Sequence, residues 1–134
     1  VSLLLKKILS DLDSELWLKW PNDFYLEDKK IGGTITTISK DLIYCGIGLN
    51  LITVNDIYGK LDIKIDVDNV LKSYFNLLEE KILWKQIFSD FKIDFQHSKK
   101  FQTTIDNQKV SLENAILNED GSIQVNNKKV FSLR

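Results

Sequence analysis

Two lysines flank a short turn early in the chain, and their side chains have the clearest capacity for chemistry. Lys19 precedes the turn, Lys30 follows it, and Gly32-Gly33 comes directly after. A fixed ammonium group can bind a carboxylate or phosphate, and it can neutralise charge on a transferring phosphoryl group. Glycines carry no Cβ, so a ligand can approach their backbone. Each lysine alone is more often solvated, but both together, with Asn22-Asp23 between them, predict a site for a small anionic molecule and a nucleotide.

Three other features are weaker candidates. His97 is the only histidine, and because zinc needs several ligands at workable spacing, it is interpreted as part of a polar linker and no metal site is predicted. Gly46 and Gly48 lack the third glycine of a dinucleotide fingerprint and indicate a close backbone approach in a packed strand. Cys45, the only cysteine, lies in an apolar run and is predicted to be a buried thiol rather than a nucleophile.

Composition limits the kind of protein. The 134 residues, 43% of them hydrophobic, suffice for one modest domain or for a domain fragment with a small companion. Eighteen basic and nineteen acidic residues give a net charge of −1, so no overall field would attract nucleic acid or an anionic membrane. No apolar run is long enough to span a bilayer, and a cytoplasmic protein is predicted. Because the chain begins at Val1 and contains no methionine, we expect a segment upstream.

Local patterns predict the elements that position the lysines. These are a helix over 2–13, a strand over 15–20 whose two faces differ, extended runs over 24–26 and 31–39, and a strand over 42–50. Leucines at helical spacing support the helix, and threonine and isoleucine support the longer extended run. Lys40-Asp41 is predicted to be a hairpin connection. The strand after it is apolar nearly throughout and is therefore predicted to be central and buried on both faces.

The pattern in the second half of the sequence predicts one long helix followed by short strands. Residues 51–65 have no clean period and are predicted to be a loop. Asp66 or Asp68 could cap a helix that reaches about Ser89. Beyond it, four strand-like runs, at 100–105, 109–117, 122–125 and 128–133, are separated by polar turns and suggest a small β-barrel. The predicted domains are 1–96 and 97–134.

Three motifs in this order resemble those of the biotin–protein ligases. They are Lys19-Trp20-Pro21-Asn22-Asp23, Lys30-Ile31-Gly32-Gly33 and Gly46-Ile47-Gly48-Leu49-Asn50. The resemblance implies an α+β fold: part of a class II synthetase-like biotin/lipoate ligase catalytic domain, with a mixed or antiparallel sheet and helices, followed by an SH3-like barrel. It also implies a two-step reaction. The biotin carboxylate attacks the α-phosphate of Mg·ATP to form biotinyl-5′-adenylate and pyrophosphate, and a lysine of a biotin carrier protein then attacks that mixed anhydride.

The resemblance also assigns roles to individual residues. Catalysis would fall to Lys30 and Asp23, with Asp23 orienting the amine nucleophile or a metal, or simply capping the turn. Biotin would contact Lys30, Gly33, Ile35 and Gly46, and ATP or the adenylate would contact Lys19, Trp20, Asn22 and Asn50. The default partner is the biotin carrier domain of acetyl-CoA carboxylase, and a homodimer through an exposed sheet edge stays open.

Two departures from the family pattern bear on activity. Thr36-Thr37 stands where an aliphatic residue and a glutamate are usual. The family's Gly-Arg-rich loop is absent from these residues and is expected upstream of Val1, so the chain alone is expected to have little activity. The alternatives are a lipoate–protein ligase, against which Trp20-Pro21 argues, and a non-catalytic relative that binds biotin or a nucleotide.

Overall fold

The structure is a computed structural model that describes residues 1–53 and 55–131. Its elements are α1 (Ser2–Asp11), β1 (Trp17–Lys19), β2 (Asp23–Leu26), β3 (Lys29–Ser39), β4 (Leu42–Leu49), α2 (Val67–Glu79), α3 (Trp84–Ser98), β5 (Gln102–Ile105), β6 (Gln108–Ser111), β7 (Ile116–Leu117), β8 (Ile123–Val125) and β9 (Lys128–Val130). Val54 in the predicted loop, the end of the last predicted strand at Ser132 and Leu133, and Arg134 of the predicted barrel lie outside the described residues. None of the described helices is long and apolar enough to cross a membrane.

The first four strands form one antiparallel sheet in the order β1-β2-β3-β4. The predicted hairpin is confirmed, since Ser39 pairs with Leu42 and Lys40 takes the positive φ of 53° that the tight turn needs. The sheet is wholly antiparallel, because each of its strands turns directly back on the one before. All three residues of β1 are buried, and its two faces differ as predicted, since Leu18 lies in the core whereas Lys19 lies on the opposite face.

One face of the sheet packs against helices and forms the core. Leu18 and Phe24 are cross-strand partners on this face, and each is at most 1% exposed. Helix α3 lies against β1, where the Asp94 carboxylate accepts a hydrogen bond from the Leu18 N–H at 3.0 Å. The same carboxylate pairs with the Lys6 ammonium of α1 at 2.7 Å. A single buried carboxylate therefore joins two helices to the first strand.

The prediction that 42–50 is a central, buried strand is wrong. β4 is the edge of the four-stranded sheet, and all its residues from Leu42 to Gly48 are exposed. Cys45 is exposed as well, so the predicted buried thiol is also wrong. An apolar run indicates burial only where another layer covers it, and in the part of the chain that the structure describes the helices pack toward β1.

The predicted long helix is two helices. α2 begins with the predicted cap, since the Asp66 side chain accepts a hydrogen bond from the Asn69 N–H at 3.2 Å. It ends at Glu79, and Lys81 has a positive φ of 50° before α3 begins. The apolar pattern continues across this break, so periodicity alone did not reveal it. His97 lies within α3 rather than in a linker, and the division into 1–96 and 97–134 stays a prediction.

As far as residue 131, the C-terminal segment has five strands, because the predicted run over 109–117 is interrupted at Leu112 and Ala115, which are fully buried. In the described residues these strands pair as two antiparallel sheets, β5-β6 and β7-β8-β9. Asp120 ties the turn before β8 to β9, and a hydrogen bond from the Lys129 ammonium, helped by Ser122, lowers the pKa of Asp120 to about 2. An SH3-like barrel stays a proposal.

Candidate functional site

Strand pairing brings most of the predicted site residues to one face of the sheet. Lys19 lies opposite Asp23, Asp23 lies opposite Gly33, and Ile35 lies opposite Gly46. Directly paired residues share a face, and so do residues two apart in a strand. We call this surface, which carries Lys19, Asp23, Lys30, Gly33, Ile35 and Gly46, the site face. It lies opposite the face that packs against the helices.

A β-bulge turns Lys30 toward the site face. The pairing runs from Phe24–Gly32 to Tyr25–Lys30, so Ile31 is an extra residue in β3. Without it, Lys30 and Gly33, three positions apart, would point to opposite faces. Ile31 is fully buried, and the Lys30 ammonium lies 2.7 Å from the Asp23 carboxylate. The bulge therefore joins the two predicted catalytic residues as an ion pair.

The glycines of β3 and β4 leave the backbone of the site face uncovered by side chains. A Cβ on Gly33 would lie 2.8 Å from the Asp23 carboxylate oxygen that binds Lys30, so any larger residue would force this carboxylate to shift. A Cβ on Gly46 or Gly48 would meet nothing within 4 Å. Ile35 beside them is 62% exposed. The outer half of the face is thus open, with accessible backbone and one large apolar side chain.

Gly32 has the opposite environment, and its replacement should destabilise the fold. A Cβ there would collide with the carbonyl oxygen of Gly48 on the neighbouring strand. Because a backbone oxygen cannot move without breaking the pairing, we expect Gly32→Ala to lower the free energy of unfolding by about 3 kcal/mol. Urea denaturation would measure this loss.

The matched control is Gly48→Ala, because its Cβ meets nothing within 4 Å. It should change the free energy of unfolding by less than about 1 kcal/mol, since alanine is at least as well suited to a strand as glycine. Equal losses for Gly32→Ala and Gly48→Ala would contradict the collision.

Asn22 closes the turn beside this face. Its backbone carbonyl accepts a hydrogen bond from the Thr34 N–H at 2.9 Å, and its side-chain amide donates to the Thr34 carbonyl. The side-chain oxygen Oδ1 is buried and has no partner within the described residues. A buried acceptor of this kind can receive a hydrogen bond from a ligand or a water molecule.

Two predicted nucleotide residues donate their side-chain N–H groups to backbone carbonyls elsewhere in the chain. The Trp20 indole N–H donates to the Gly121 carbonyl at 3.0 Å, and its ring lines a cavity of about 480 Å³ beside the C-terminal strands. The Asn50 amide donates to the Gly59 carbonyl at 3.1 Å and so secures the loop that follows β4. The Asn50 backbone N–H also donates to the Ile31 carbonyl at 2.7 Å, so Asn50 lies beside the strand residue that follows Lys30.

Sequence reasoning missed an aromatic group beside Lys19. The Lys19 ammonium lies 5.5 Å from the centre of the Tyr25 ring and 6.0 Å from that of Phe101. Burial raises the pKa of Tyr25, and the nearby Asp23 carboxylate and Tyr58 raise it further. Tyr25 could have been found, since it lies two residues after Asp23 in a strand. Phe101 is distant in sequence and carried no local signal.

The described residues also bear on metal binding. Within 1–53 and 55–131, no three His, Cys, Asp or Glu side chains lie together in a way that could hold a metal ion. Asp23 lies on the site face, and its carboxylate is paired there with the Lys30 ammonium.

The solved structures that resemble this chain include biotin ligases from two organisms. No family model matches the chain. The fold is similar to that of a biotin acetyl coenzyme A carboxylase synthetase from Helicobacter pylori, solved with bound biotinylated ATP, with a TM-score of 0.88 and 37% identity. That match covers 96% of this chain and 61% of the Helicobacter pylori chain, so this chain spans about three fifths of that relative.

The fold is also shared with the biotin protein ligase of Aquifex aeolicus. Its complex with biotin and ATP matches with a TM-score of 0.64 and 22% identity, over 98% of this chain and 66% of the other. Its apo structure matches with a TM-score of 0.62 and 22% identity, over 98% of this chain and 69% of the other. The chain is therefore a relative of the biotin–protein ligases, as the order of its three motifs predicted.

Proposed function

We propose that the protein to which this chain belongs is an ATP-dependent ligase that activates biotin as biotinyl-5′-adenylate and transfers it to a lysine of a biotin carrier protein. The observation that carries this proposal is the 37% identity, over 96% of the chain, to a protein solved with biotinylated ATP. The default partner is the carrier domain of acetyl-CoA carboxylase. Because the reaction consumes ATP, the proposal includes a cytoplasmic location.

Lys30 is assigned to the first step. As the biotin carboxylate attacks the α-phosphorus, negative charge grows on the phosphoryl oxygens, and an ammonium already in place stabilises that charge without reorganising. The 2.7 Å contact with Asp23 supports this role because it limits the rotamers of a flexible side chain. About a third of the Lys30 side chain is exposed, so a ligand can reach it.

Asp23 has a second assigned role once a phosphate takes up the Lys30 charge. Its carboxylate can then accept a hydrogen bond from the carrier lysine and orient the amine for attack on the biotinyl carbonyl carbon of the mixed anhydride, with AMP as the leaving group. Magnesium is proposed to arrive as Mg·ATP, since this ion keeps several waters and binds through phosphates and one or two carboxylates. If it needs a protein ligand on the site face, Asp23 is the carboxylate that fits.

The other proposed contacts follow the layout of the site face. Biotin is assigned to Gly33, Ile35 and Gly46, where open backbone and one apolar side chain suit an uncharged ring system. The nucleotide is assigned to Lys19 and Asn22. Trp20 and Asn50 are then proposed to support the nucleotide side through the turn and the loop that they hold.

The assembly is part of the proposal. The C-terminal strands are proposed to be an SH3-like unit. A second copy of the protein would pair along the outer edge of β4, which is apolar and exposed.

Biotin-dependent exchange of labelled pyrophosphate into ATP by the full-length protein tests this function. We expect exchange with biotin, none with lipoate, and subsequent biotinylation of a carrier domain detected with streptavidin. Exchange with lipoate alone would identify a lipoate ligase. Tight biotin binding without exchange in the presence of Mg·ATP would indicate a non-catalytic relative. The 134 residues alone should show little exchange, since they contain no Gly-Arg-rich loop.

A further inference from the structure

We propose that Phe101, from the segment that follows α3, is a positioning residue that works with Tyr25 to hold the Lys19 ammonium at the site face. The consequence for ATP rests on the proposed function, whereas the contact itself does not. Phe101 lies in the C-terminal segment, so this contact would give that segment a direct part in shaping the site.

Three aromatic rings beside Lys19 form one cluster in which each ring contacts the other two. Trp17, Tyr25 and Phe101 touch one another in all three pairs, with ring centres 5.2 Å, 5.4 Å and 5.4 Å apart. The Lys19 ammonium lies over two of these rings, and Lys19 is only 7% exposed. We call the three rings with Lys19 the aromatic cage.

The physical basis is the negative face of an aromatic ring. A cation within about 6 Å of the ring centre is attracted by the quadrupole, and the attraction grows when water is excluded. Lysine has a long flexible stem, so two ring faces at fixed positions narrow the volume that its ammonium can occupy. The cage therefore both stabilises the charge and restricts its position.

The cage is connected to the catalytic pair. Lys19 lies opposite Asp23 across the β1–β2 pairing, and Asp23 binds Lys30. Tyr25, a member of the cage, lies opposite Lys30 itself. Displacement of the Lys19 ammonium would thus change the field at the group assigned to the phosphate.

The backbone around Phe101 is anchored on both sides. Its N–H donates to the Ser98 carbonyl at the end of α3, and its carbonyl accepts from the Leu112 N–H, each at 3.0 Å. His97, also on α3, contacts the Trp17 ring edge-on with ring centres 5.5 Å apart. These two hydrogen bonds fix the backbone from which the Phe101 ring extends.

Fluorinated phenylalanines at position 101 test the proposal in the full-length protein. One, two and three ring fluorines weaken the quadrupole step by step while the shape of the side chain is nearly kept. The first measurement is the rate of reductive methylation of Lys19, with exposed Lys29 as the internal reference. A weaker cage holds the Lys19 side chain less firmly and lets the reagent reach its amine more often, so we expect the Lys19 rate to rise at each step, by about three- to tenfold for the trifluoro form.

The second measurement is the KM for ATP in biotin-dependent exchange, which should rise across the same series while kcat changes less. Phe101→Tyr keeps a π face and should behave like the natural protein, whereas Phe101→Leu should resemble the trifluoro form. A flat Lys19 methylation rate across the series would overturn the proposal. A methylation trend in a protein that shows no exchange at all would support the cage and reject the ligase function. A methylation trend with exchange present but an unchanged KM for ATP would overturn the link to the nucleotide.

Discussion

Replacement of Lys30 by methionine in the full-length protein is expected to slow biotin adenylation by about 10²- to 10³-fold, the usual effect of losing one preorganised donor to a developing oxyanion. The physical reason is that methionine keeps the apolar stem but removes the charge that the structure holds 2.7 Å from Asp23 on the site face. Single-turnover formation of biotinyl-5′-adenylate measures the step directly. The variant should still fold, because this ion pair is partly exposed. Screening by water limits its contribution to the free energy of unfolding to about 1 kcal/mol or less.

Lys29→Met is the matched control. Lys29 is the neighbouring lysine of β3 and is exposed, so its loss removes the same charge from the same strand without touching the ion pair. We expect its adenylation rate to stay within about twofold of the natural protein, as for a screened surface charge. Lys30→Arg should recover part of the rate, because it restores the charge in a different shape. Equal losses for Lys29→Met and Lys30→Met would contradict the assigned role.

Replacement of Asp94 by alanine is expected to cost about 3–5 kcal/mol of folding free energy. Asp94 is 3% exposed, binds the Leu18 N–H and pairs with the Lys6 ammonium. Its removal leaves a buried N–H without its acceptor and a largely buried ammonium without its counter-charge. Because the affected strand carries Lys19, the site face should lose order as well. Thermal unfolding should show a Tm lower by at least about 10 °C.

The control for this prediction is the exposed pair of Lys7 and Asp11 on α1. Both side chains are more than half exposed at a separation of 3.1 Å, so Asp11→Ala should change stability by less than about 0.5 kcal/mol. Asp94→Asn should fall between the two alanine variants, because the amide oxygen can still accept from Leu18. A loss below about 1 kcal/mol for Asp94→Ala would contradict the structural role of this carboxylate.

The features that the sequence predicted correctly depend on residues close together in the chain. The hairpin at Lys40-Asp41 and the cap at Asp66 follow from turn and capping chemistry within a few positions. The spacing of Lys19, Lys30 and the glycines was enough to predict that these residues lie together, because a turn between two strands must bring those positions to one region. The order of the three motifs indicated the relationship to biotin–protein ligases.

Other features depend on how distant parts of the chain pack. A bulge at Ile31 decides that Lys30 faces Asp23, and it exists because Ile31 is drawn into the core. The apolar residues of β4 lie at an exposed edge, since burial is a property of neighbouring layers and not of a strand's own composition.

By itself, the sequence determined the candidate cations, the glycines beside them and the local elements that carry them, because these rest on short-range chemistry. Only the tertiary structure decided which residues meet. It joined Lys30 to Asp23, tied Trp20 to Gly121, and brought Phe101 to Lys19 from the far end of the chain. Contacts of this kind arise from packing between elements remote in sequence, and no local pattern records them.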